Sequence, residues 1–314
     1  MSAATKSVSL FDRLPPVRGA YQADYPLSRI TWFKVGGVAD VLFRPADADD
    51  LAAFLAGCPT DIPVTVLGVG SNVLVRDGGI RGVVVRLGRG FTDIVVEDTC
   101  VVAGGGALDI NVARVAADAG LAGLEFLSGV PGTIGGAVRM NAGAYGGDLG
   151  GILDSVVLLD RAGRARTLTR DDLSFTYRQS RLPPQTIVVR ATLVGTPSDA
   201  PAVHGRMAEI KQAREATQPV RTRTGGSTFR NPGGPEGDAP RAWQLIDDAG
   251  CRGLTRGGAM VSPVHCNFLE NTGQATAADL EALGEEVRQR VAEQSGVHLQ
   301  WEIERLGEPA RGTS

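Results

Sequence analysis

The chain has 314 residues with a formal net charge of −3, and aromatic residues make up only 5% of it. This acidic, aromatic-poor composition is atypical of nucleic-acid-binding proteins, which usually have a basic surface and stacking side chains. The N-terminal stretch MSAATKSVSLFDRL has no long apolar core, and no run reaches the roughly 18 apolar residues of a membrane span. We therefore expect a cytoplasmic protein with two or three domains and with neither a membrane nor a nucleic-acid partner.

The cysteines are scattered along the chain at Cys58, Cys100, Cys251 and Cys266. No two of them form a CxxC pair, so the spacing favours neither a disulfide framework nor a zinc site. We expect reduced, buried thiols and no metal site.

The first 90 residues begin with a proline-containing segment over 1–27, which predicts an irregular arm. The stretch ADVLFRP then predicts a strand, and ADADDLAAFLAGC predicts a helix with Asp47 or Asp49 as its N-cap. Three β-rich runs follow, TVL, VLV and GVVVRL, and glycine loops separate them.

The next hundred residues predict strands at DIVVED, CVVAGGG, ILDSVVLLD and TIVVRATLVG. Between them lies a helix, LDINVARVAADAG, whose predicted apolar face contains Ile110, Ala113 and Ala117. The composition changes over 196–205, where we place a domain boundary. The predicted domains are thus 28–200, with lobes of about 28–90 and 91–200, and 201–314.

The last third predicts two helices and a closing strand. The first helix covers about 202–216, and the second begins with a capping box formed by Thr276 and Asp279. The second helix has an apolar face of Leu280, Leu283, Val287 and Val291. In VHLQWEIERLG, apolar and polar residues alternate, which predicts a strand with Glu302 on its polar face.

The first glycine loop is LGVGSNVLV, residues 67–75. It lacks the third glycine of a dinucleotide fingerprint and leads into a β-rich run instead of a helix, so the Rossmann context fails. Its backbone N–H groups, with Ser71 and Asn72, could still bind a phosphate. A plain hairpin is the alternative.

The second glycine loop is SGVPGTIGGAVRMNAGAYG, residues 128–146. So many glycines cost stability through lost chain entropy, which favours backbone packed against a large planar ligand. Two such loops in one domain indicate a dinucleotide cofactor, although a purely structural loop remains an alternative.

Both loops resemble the flavin-binding signatures of the UDP-N-acetylenolpyruvoylglucosamine reductase family. TWFKVGG (31–37), FTYRQS (175–180), GGSTFRNP (225–232), AGCRGLTRGGAMVSPVHCNFLEN (249–271) and WEIERLG (301–307) resemble further motifs of this family in the same order. The resemblance covers about residues 28 to 307.

This resemblance implies an α+β fold. A two-lobed FAD-binding domain of the vanillyl-alcohol-oxidase/PCMH type would be followed by a C-terminal α+β substrate domain. It also implies that NADPH reduces FAD and that flavin N5 then delivers hydride to the enolpyruvyl ether of a UDP-sugar. The product would be UDP-N-acetylmuramate.

The resemblance also implies site residues. The catalytic residues would be Ser227, as proton donor to the intermediate, with Arg178 and Glu302 binding and polarising the substrate carboxylate. Tyr177, Arg178, Arg230 and Asn231 would bind substrate. The flavin-binding residues would be Gly68, Gly70, Ser71, Asn72, Val73, Leu74, Pro131, Gly132, Thr133, Gly135, Gly136, Ala137, Met140, Asn141 and Gly143.

Two departures from the family pattern concern the substrate diphosphate. Thr217 stands where many members have lysine, and Arg230 stands where lysine is frequent. Arg221 and Arg223 could supply the missing charge. The Gly/Pro-rich stretch from Asn231 to Pro240 is interpreted as a mobile loop beside the active site.

Without the resemblance, each catalytic residue has a simpler interpretation. Ser227 could be a loop residue that satisfies backbone groups, Arg178 a surface arginine, and Glu302 part of a solvated face. Two other functions also stay open at this point: an FAD-dependent oxidase or dehydrogenase of the same superfamily, and a flavin-free protein that binds sugar nucleotides. No assembly motif is visible, so we expect a monomer.

Overall fold

The structure is a computed structural model that describes residues 9–234 and 239–310. In these residues the α-helices are, in chain order, α1 (Ala48–Gly57), α2 (Asp109–Asp118), α3 (Ile134–Met140), α4 (Leu149–Ile152), α5 (Ala200–Thr217), α6 (Ala242–Asp248) and α7 (Ala277–Ser295). None of the described helices is both long enough and apolar enough to cross a bilayer.

The strands, again in chain order, are β1 (Ala20–Pro26), β2 (Val38–Arg44), β3 (Val64–Val66), β4 (Val73–Val75), β5 (Ile80–Val85), β6 (Ile94–Glu97), β7 (Cys100–Gly104), β8 (Leu121–Ala122), β9 (Gly143–Ala144), β10 (Gly147–Asp148), β11 (Leu153–Leu159), β12 (Ala165–Thr169), β13 (Ile187–Val194), β14 (Thr196–Pro197), β15 (Arg223–Ser227), β16 (Thr255–Arg256), β17 (Ala259–Val261), β18 (Phe268–Asn271) and β19 (Glu304–Leu306). The mixture of helices and strands agrees with the predicted α+β class.

The first lobe is a four-stranded sheet in the order β1-β2-β5-β3, covered by α1. Strands β2, β5 and β3 run parallel, and β1 is antiparallel at one edge. Asp47 caps α1 by accepting a hydrogen bond from the Asp50 N–H at 3.0 Å, which confirms one of the two predicted caps. Phe43 and Phe54 pack between sheet and helix with ring centroids 4.5 Å apart.

The prediction of an irregular arm over 1–27 was wrong in its last part, because residues 20–26 form β1. Apolar and polar residues alternate from Tyr21 to Tyr25, but the strand is short and none of its residues is fully buried. Its pairing with β2, from Ala20 opposite Arg44 to Pro26 opposite Val38, is a tertiary contact. Residues 1–8 of the predicted arm lie outside the described residues.

The second lobe is an antiparallel five-stranded sheet in the order β12-β11-β13-β7-β6, with α2 and α3 in its core layer. The predicted strands and helix of this region are all present. Ala113 and Ala117 of α2 are buried as predicted, but Ile110 is 52% exposed. Val112 and Ala116 take its place in the core, so the buried face of α2 is rotated from the predicted one.

The C-terminal region contains the sheet β15-β18-β17-β16 with α6 and α7 packed beside it. The predicted capping box of α7 is confirmed: Asp279 N–H donates to Thr276 Oγ1 at 3.0 Å, and Thr276 N–H donates to Asp279 Oδ2 at 2.9 Å. The predicted apolar face of α7 is fully buried.

The predicted closing strand is shorter than expected, because only β19 is regular, and it pairs in parallel with β4. Before β19 the backbone bonds to another segment, with Arg230 N–H donating to the Gln300 carbonyl and Glu302 N–H donating to the Thr228 carbonyl. The end of the chain thus joins the first glycine loop to the loop after Ser227.

Helix α5, with which the predicted C-terminal domain begins, packs against the second lobe. Arg206 Nε donates to Glu125 Oε1 at 2.7 Å, and His204 Nε2 lies 2.9 Å from Asp118 Oδ1. These contacts tie α5 to the helical layer of the second lobe, beside the cavity described below.

Candidate active site

The three predicted catalytic residues, Arg178, Ser227 and Glu302, line one cavity of about 620 Å³. Arg178 belongs to the second lobe, whereas Ser227 ends β15 and Glu302 precedes β19. The cavity therefore lies where the glycine loops, α5 and the C-terminal sheet meet. No histidine is among the described residues that line it.

Arg178 lies in a tight turn that holds its backbone in the left-handed region, with φ of +57°. Thr176 and Gln179 close this turn by exchanging backbone hydrogen bonds of 2.9 and 3.0 Å. The side-chain amide of Asn141 donates to the Thr176 carbonyl at 2.9 Å. A positive φ is uncommon outside glycine and persists where the surroundings enforce it, often at functional sites.

Glu302 is positioned through both its side chain and its backbone. Arg178 Nε donates to Glu302 Oε1 at 2.9 Å, and the Glu302 side chain is only 10% exposed. The Asn72 amide donates to the Glu302 carbonyl at 3.1 Å. Glu302 is thus held against the first glycine loop. The alternative interpretation, in which Glu302 belongs to a solvent-exposed face of a strand, was wrong.

Burial raises the pKa of Glu302 above its ordinary value, although Arg178 and Arg230 act in the opposite direction. A carboxyl group with a raised pKa keeps its proton to higher pH than a free glutamate. It can then donate a hydrogen bond to a substrate carboxylate instead of repelling it. The role that the resemblance implies for Glu302 requires this residue to be protonated or hydrogen-bonded.

Two glycines, Gly225 and Gly226, directly precede Ser227 in the chain. A Cβ at Gly225 would lie 2.4 Å from the Phe33 ring, and Gly226 has φ of +80°, so both positions favour glycine. After Ser227, the Asn267 amide holds Phe229 by accepting from its N–H at 3.0 Å and donating to its carbonyl at 2.8 Å. The serine therefore stands on a firmly held loop at the cavity wall.

The predicted flavin-binding residues surround two cavities that are separated by the contact of the two glycine loops. At this contact, a Cβ on Gly68 would lie 2.7 Å from Thr133 Oγ1. Ser71, Asn72, Pro131, Met140 and Gly143 line the large cavity. Gly68, Thr133, Gly135 and Gly136 line a second cavity of about 120 Å³.

The remaining predicted flavin residues line neither cavity: Gly70, Val73, Leu74, Gly132, Ala137 and Asn141. Several of them support the loops from behind. Gly70 has φ of +70°, and a Cβ there would lie 2.5 Å from the Ile30 carbonyl. Asn141 uses its amide for Asp148, Thr176 and Gly150, so its hydrogen bonds go to protein groups.

Of the predicted substrate-binding residues, only Arg178 lines the large cavity; Tyr177, Arg230 and Asn231 do not. The Tyr177 ring lies 5.2 Å from the Arg178 guanidinium carbon. Asn231 Oδ1 accepts from the Ala242 N–H at 3.0 Å. In the predicted loop over Asn231–Pro240, residues 235–238 lie outside the described residues.

Two cations on α5, Lys211 and Arg214, line the large cavity and were missed by the sequence analysis. Arg221 and Arg223, which were expected to supply the charge, do not line it. The residues of α5 that line the cavity share one face of the helix: Met207, Ala208, Lys211, Arg214 and Glu215. Their spacing was visible in the sequence, but the direction in which this face points was not.

The two loops fit a flavin dinucleotide. Their glycines leave no side chain between backbone and cavity, and a Cβ at Gly135 would lie 2.9 Å from the Gly105 carbonyl. Both loops reach cavities on either side of their contact, as an elongated two-part ligand requires. The residues that line these cavities would hold FAD.

Comparisons with known proteins identify the family of this chain. Residues 218–306 match the family model "UDP-N-acetylenolpyruvoylglucosamine reductase, C-terminal domain", and residues 39–169 match "FAD binding domain". A UDP-N-acetylenolpyruvoylglucosamine reductase from Parvibaculum lavamentivorans is 61% identical over 98% of this chain and 97% of its own length. One from Rhodospirillum rubrum is 56% identical over 98% of this chain and 96% of its own length.

A solved structure gives the same result. The crystal structure of UDP-N-acetylenolpyruvylglucosamine reductase from Thermus caldophilus is 36% identical to this chain, with a TM-score of 0.77. The match covers 93% of this chain and 100% of the chain in the crystal structure. The chain, an oxidoreductase with an FAD-binding domain and a C-terminal α+β domain, therefore belongs to the UDP-N-acetylenolpyruvoylglucosamine reductase family.

Proposed function

We propose that the chain reduces UDP-N-acetylglucosamine enolpyruvate to UDP-N-acetylmuramate, a step in peptidoglycan precursor synthesis, with NADPH as reductant and FAD as carrier. One observation carries this proposal. Arg178, Ser227 and Glu302, which come from three separate segments, line one cavity that also contacts both glycine loops. When bound, FAD would supply hydride transfer from NADPH to the enol carbon.

The chain's own residues would then bind the substrate carboxylate and deliver a proton. Arg178 would pair with the carboxylate and stabilise the negative charge that develops on it. Glu302, whose pKa burial raises, would in its neutral form donate a hydrogen bond to the same group. Ser227 would give its hydroxyl proton to the carbanion-like carbon, a step that needs no histidine because that carbon is itself strongly basic.

Lys211 and Arg214 would bind the UDP diphosphate. They are the cations, besides Arg178, among the described residues that line the large cavity. Burial lowers the pKa of Arg214, and within the described part of the chain its side chain donates only to the neutral Gln218, at 3.3 Å. An anionic ligand would compensate for that burial.

We further propose a cytoplasmic monomer. One chain supplies all three proposed catalytic residues, so the site needs no second copy for its chemistry. A nucleotide-activated sugar and NADPH are both cytoplasmic compounds, which supports that location.

The proposal is tested by following the visible spectrum of the purified protein under anaerobic conditions. NADPH should bleach the flavin bands, and UDP-N-acetylglucosamine enolpyruvate should restore them. Bleaching without restoration would identify a flavin reductase of another substrate, and flavin without bleaching would favour an oxidase. In the same titration Lys211→Gln and Arg214→Gln should weaken substrate binding, whereas Arg221→Gln, outside the cavity, should not.

Glu302 should give the substrate reaction a pH dependence. Because its pKa is raised, the neutral form persists to higher pH than in a free glutamate, and kcat/KM for the enolpyruvyl substrate should fall as pH rises through that pKa. Glu302→Gln removes this titration and should lose about 10²-fold in rate. Its profile should be flat over the pH range in which the wild-type rate falls. If kcat/KM of the Glu302→Gln variant still falls with rising pH as in wild type, Glu302 is not the group whose titration causes the fall.

A further inference from the structure

The first residue of α2 is a fully buried acid. Asp109 is 0% exposed, whereas its apolar neighbours Leu108 and Ile110 are 38% and 52% exposed. This order reverses the usual arrangement, in which apolar side chains are buried and carboxyl groups face solvent. Neither carboxyl oxygen of Asp109 has a hydrogen-bond partner among the described residues. Such a group calls for an explanation, because its burial costs free energy that an apolar side chain would not.

The Asp109 side chain lies against the second glycine loop. A Cβ on Gly132 would lie 2.6 Å from Asp109 Oδ2, so the carboxyl group packs directly on the backbone of this loop. The Asp109 N–H donates to the Gly132 carbonyl at 3.2 Å, and an antiparallel bridge joins Leu108 to Thr133. The start of α2 is therefore the support on which this part of the loop rests.

Burial raises the pKa of Asp109 well above its ordinary value and is the only cause of this shift. The titratable groups of α2 and of the segments around it therefore contribute nothing to the shift. These groups are Arg114, Asp118, Glu97, Cys100, Glu125, Arg139 and the charged residues of α5 between His204 and Glu215. The start of a helix favours an ionised acid, but this effect is smaller than the cost of an unpaired buried charge.

We propose that Asp109 is a positioning residue whose proton keeps the second glycine loop seated on α2. In the neutral form the carboxyl group packs against Gly132. The ionised form has no hydrogen-bond donor among the described residues, so the loop has to lift and admit water to the charge. The position of the loop thus depends on pH. Only the consequence for FAD rests on the proposed function, in which this loop is one of the two that hold the cofactor.

Proton linkage fixes the direction of the effect. When the loop is open, Asp109 titrates near its ordinary value, whereas its pKa is raised when the loop is seated. Between these two values the seated loop keeps a proton that the open loop releases, so the opening equilibrium constant should rise by up to about tenfold per pH unit. The stabilisation of the seated loop is complete below the ordinary pKa and is lost as pH rises through the raised one.

The test is amide hydrogen exchange of the deflavinated full-length protein, measured by mass spectrometry over a pH series. Asp109→Asn keeps the shape of the side chain but cannot ionise, and Asp109→Leu serves the same purpose if the buried amide disturbs folding. At each pH the intrinsic exchange rate of residues 129–136 is the same in all variants, so the ratio of wild-type to variant exchange reports loop opening. This ratio should rise by up to about tenfold per pH unit, and it should not change with pH over α7.

The Kd for FAD, measured by flavin fluorescence, should follow the loop and rise with pH more steeply in wild type than in Asp109→Asn. The control is Asp93→Asn, which removes an exposed acid of the same lobe and should keep the wild-type pH dependence in both measurements. The inference is overturned if wild type and Asp109→Asn show the same pH dependence of exchange. It is also overturned if they differ by a factor that pH does not change, because that is the result of packing alone. Protein that binds no FAD would overturn the proposed function and leave the exchange result standing.

Discussion

Ser227→Ala is expected to leave FAD bound and its reduction by NADPH nearly intact, but to slow reoxidation by the enolpyruvyl substrate by roughly 10²- to 10⁴-fold. The reason is that the substitution removes only the hydroxyl proton, whereas hydride transfer from NADPH needs no proton from this residue. Gly225 and Gly226 carry the loop geometry, and alanine differs from serine by one oxygen, so the cavity wall is retained. The two half-reactions should therefore separate in stopped-flow absorbance.

The matched control is the next residue along the chain. Thr228 is buried, does not line the cavity, and its Oγ1 has no hydrogen-bond partner among the described residues. Thr228→Val keeps its shape and should change neither half-reaction, because an unpaired buried hydroxyl contributes nothing that valine lacks. Equal loss of both half-reactions in Ser227→Ala would show a disturbed flavin site instead of a missing proton donor.

Arg178→Ala is expected to lose about 10²- to 10³-fold in the substrate half-reaction while FAD stays bound. Two effects combine in this loss. The substrate carboxylate loses its proposed cationic partner, and Glu302 loses the Nε–H donor now 2.9 Å from its Oε1. Arg178→Lys should fall in between, since lysine keeps the charge but cannot bind a carboxylate with two parallel hydrogen bonds.

Arg181→Ala serves as the comparison for Arg178. This arginine lies three positions further along the chain and does not line the cavity. Its turnover should match wild type in the same stopped-flow assay. Normal turnover in Arg178→Ala would remove Arg178 from the mechanism, and loss of bound FAD would assign it to the cofactor instead.

Much of the fold could be predicted from local sequence. The caps of α1 and α7 follow from patterns within one helical turn and the buried face of α7 from a pattern over about three turns, and the structure confirms them. Strand β1 was not predicted, and the exposure of Ile110 does not follow from a local pattern. β1 is held by pairing with β2 although none of its residues is fully buried, and the face of α2 that contacts the core depends on what packs against it.

For the candidate site, the sequence by itself determined which residues to examine, because glycine loops and the YRQS, GGSTF and WEIE motifs are runs of adjacent residues. It also determined the family. The tertiary structure alone decided how these runs meet, since Arg178 and Glu302 are 124 positions apart and yet form a hydrogen bond. It also decided the burial that raises the pKa of Glu302 and the inward face of α5 with Lys211 and Arg214. These properties depend on distances between segments that are remote in the chain, and residue order alone does not encode them in any local pattern.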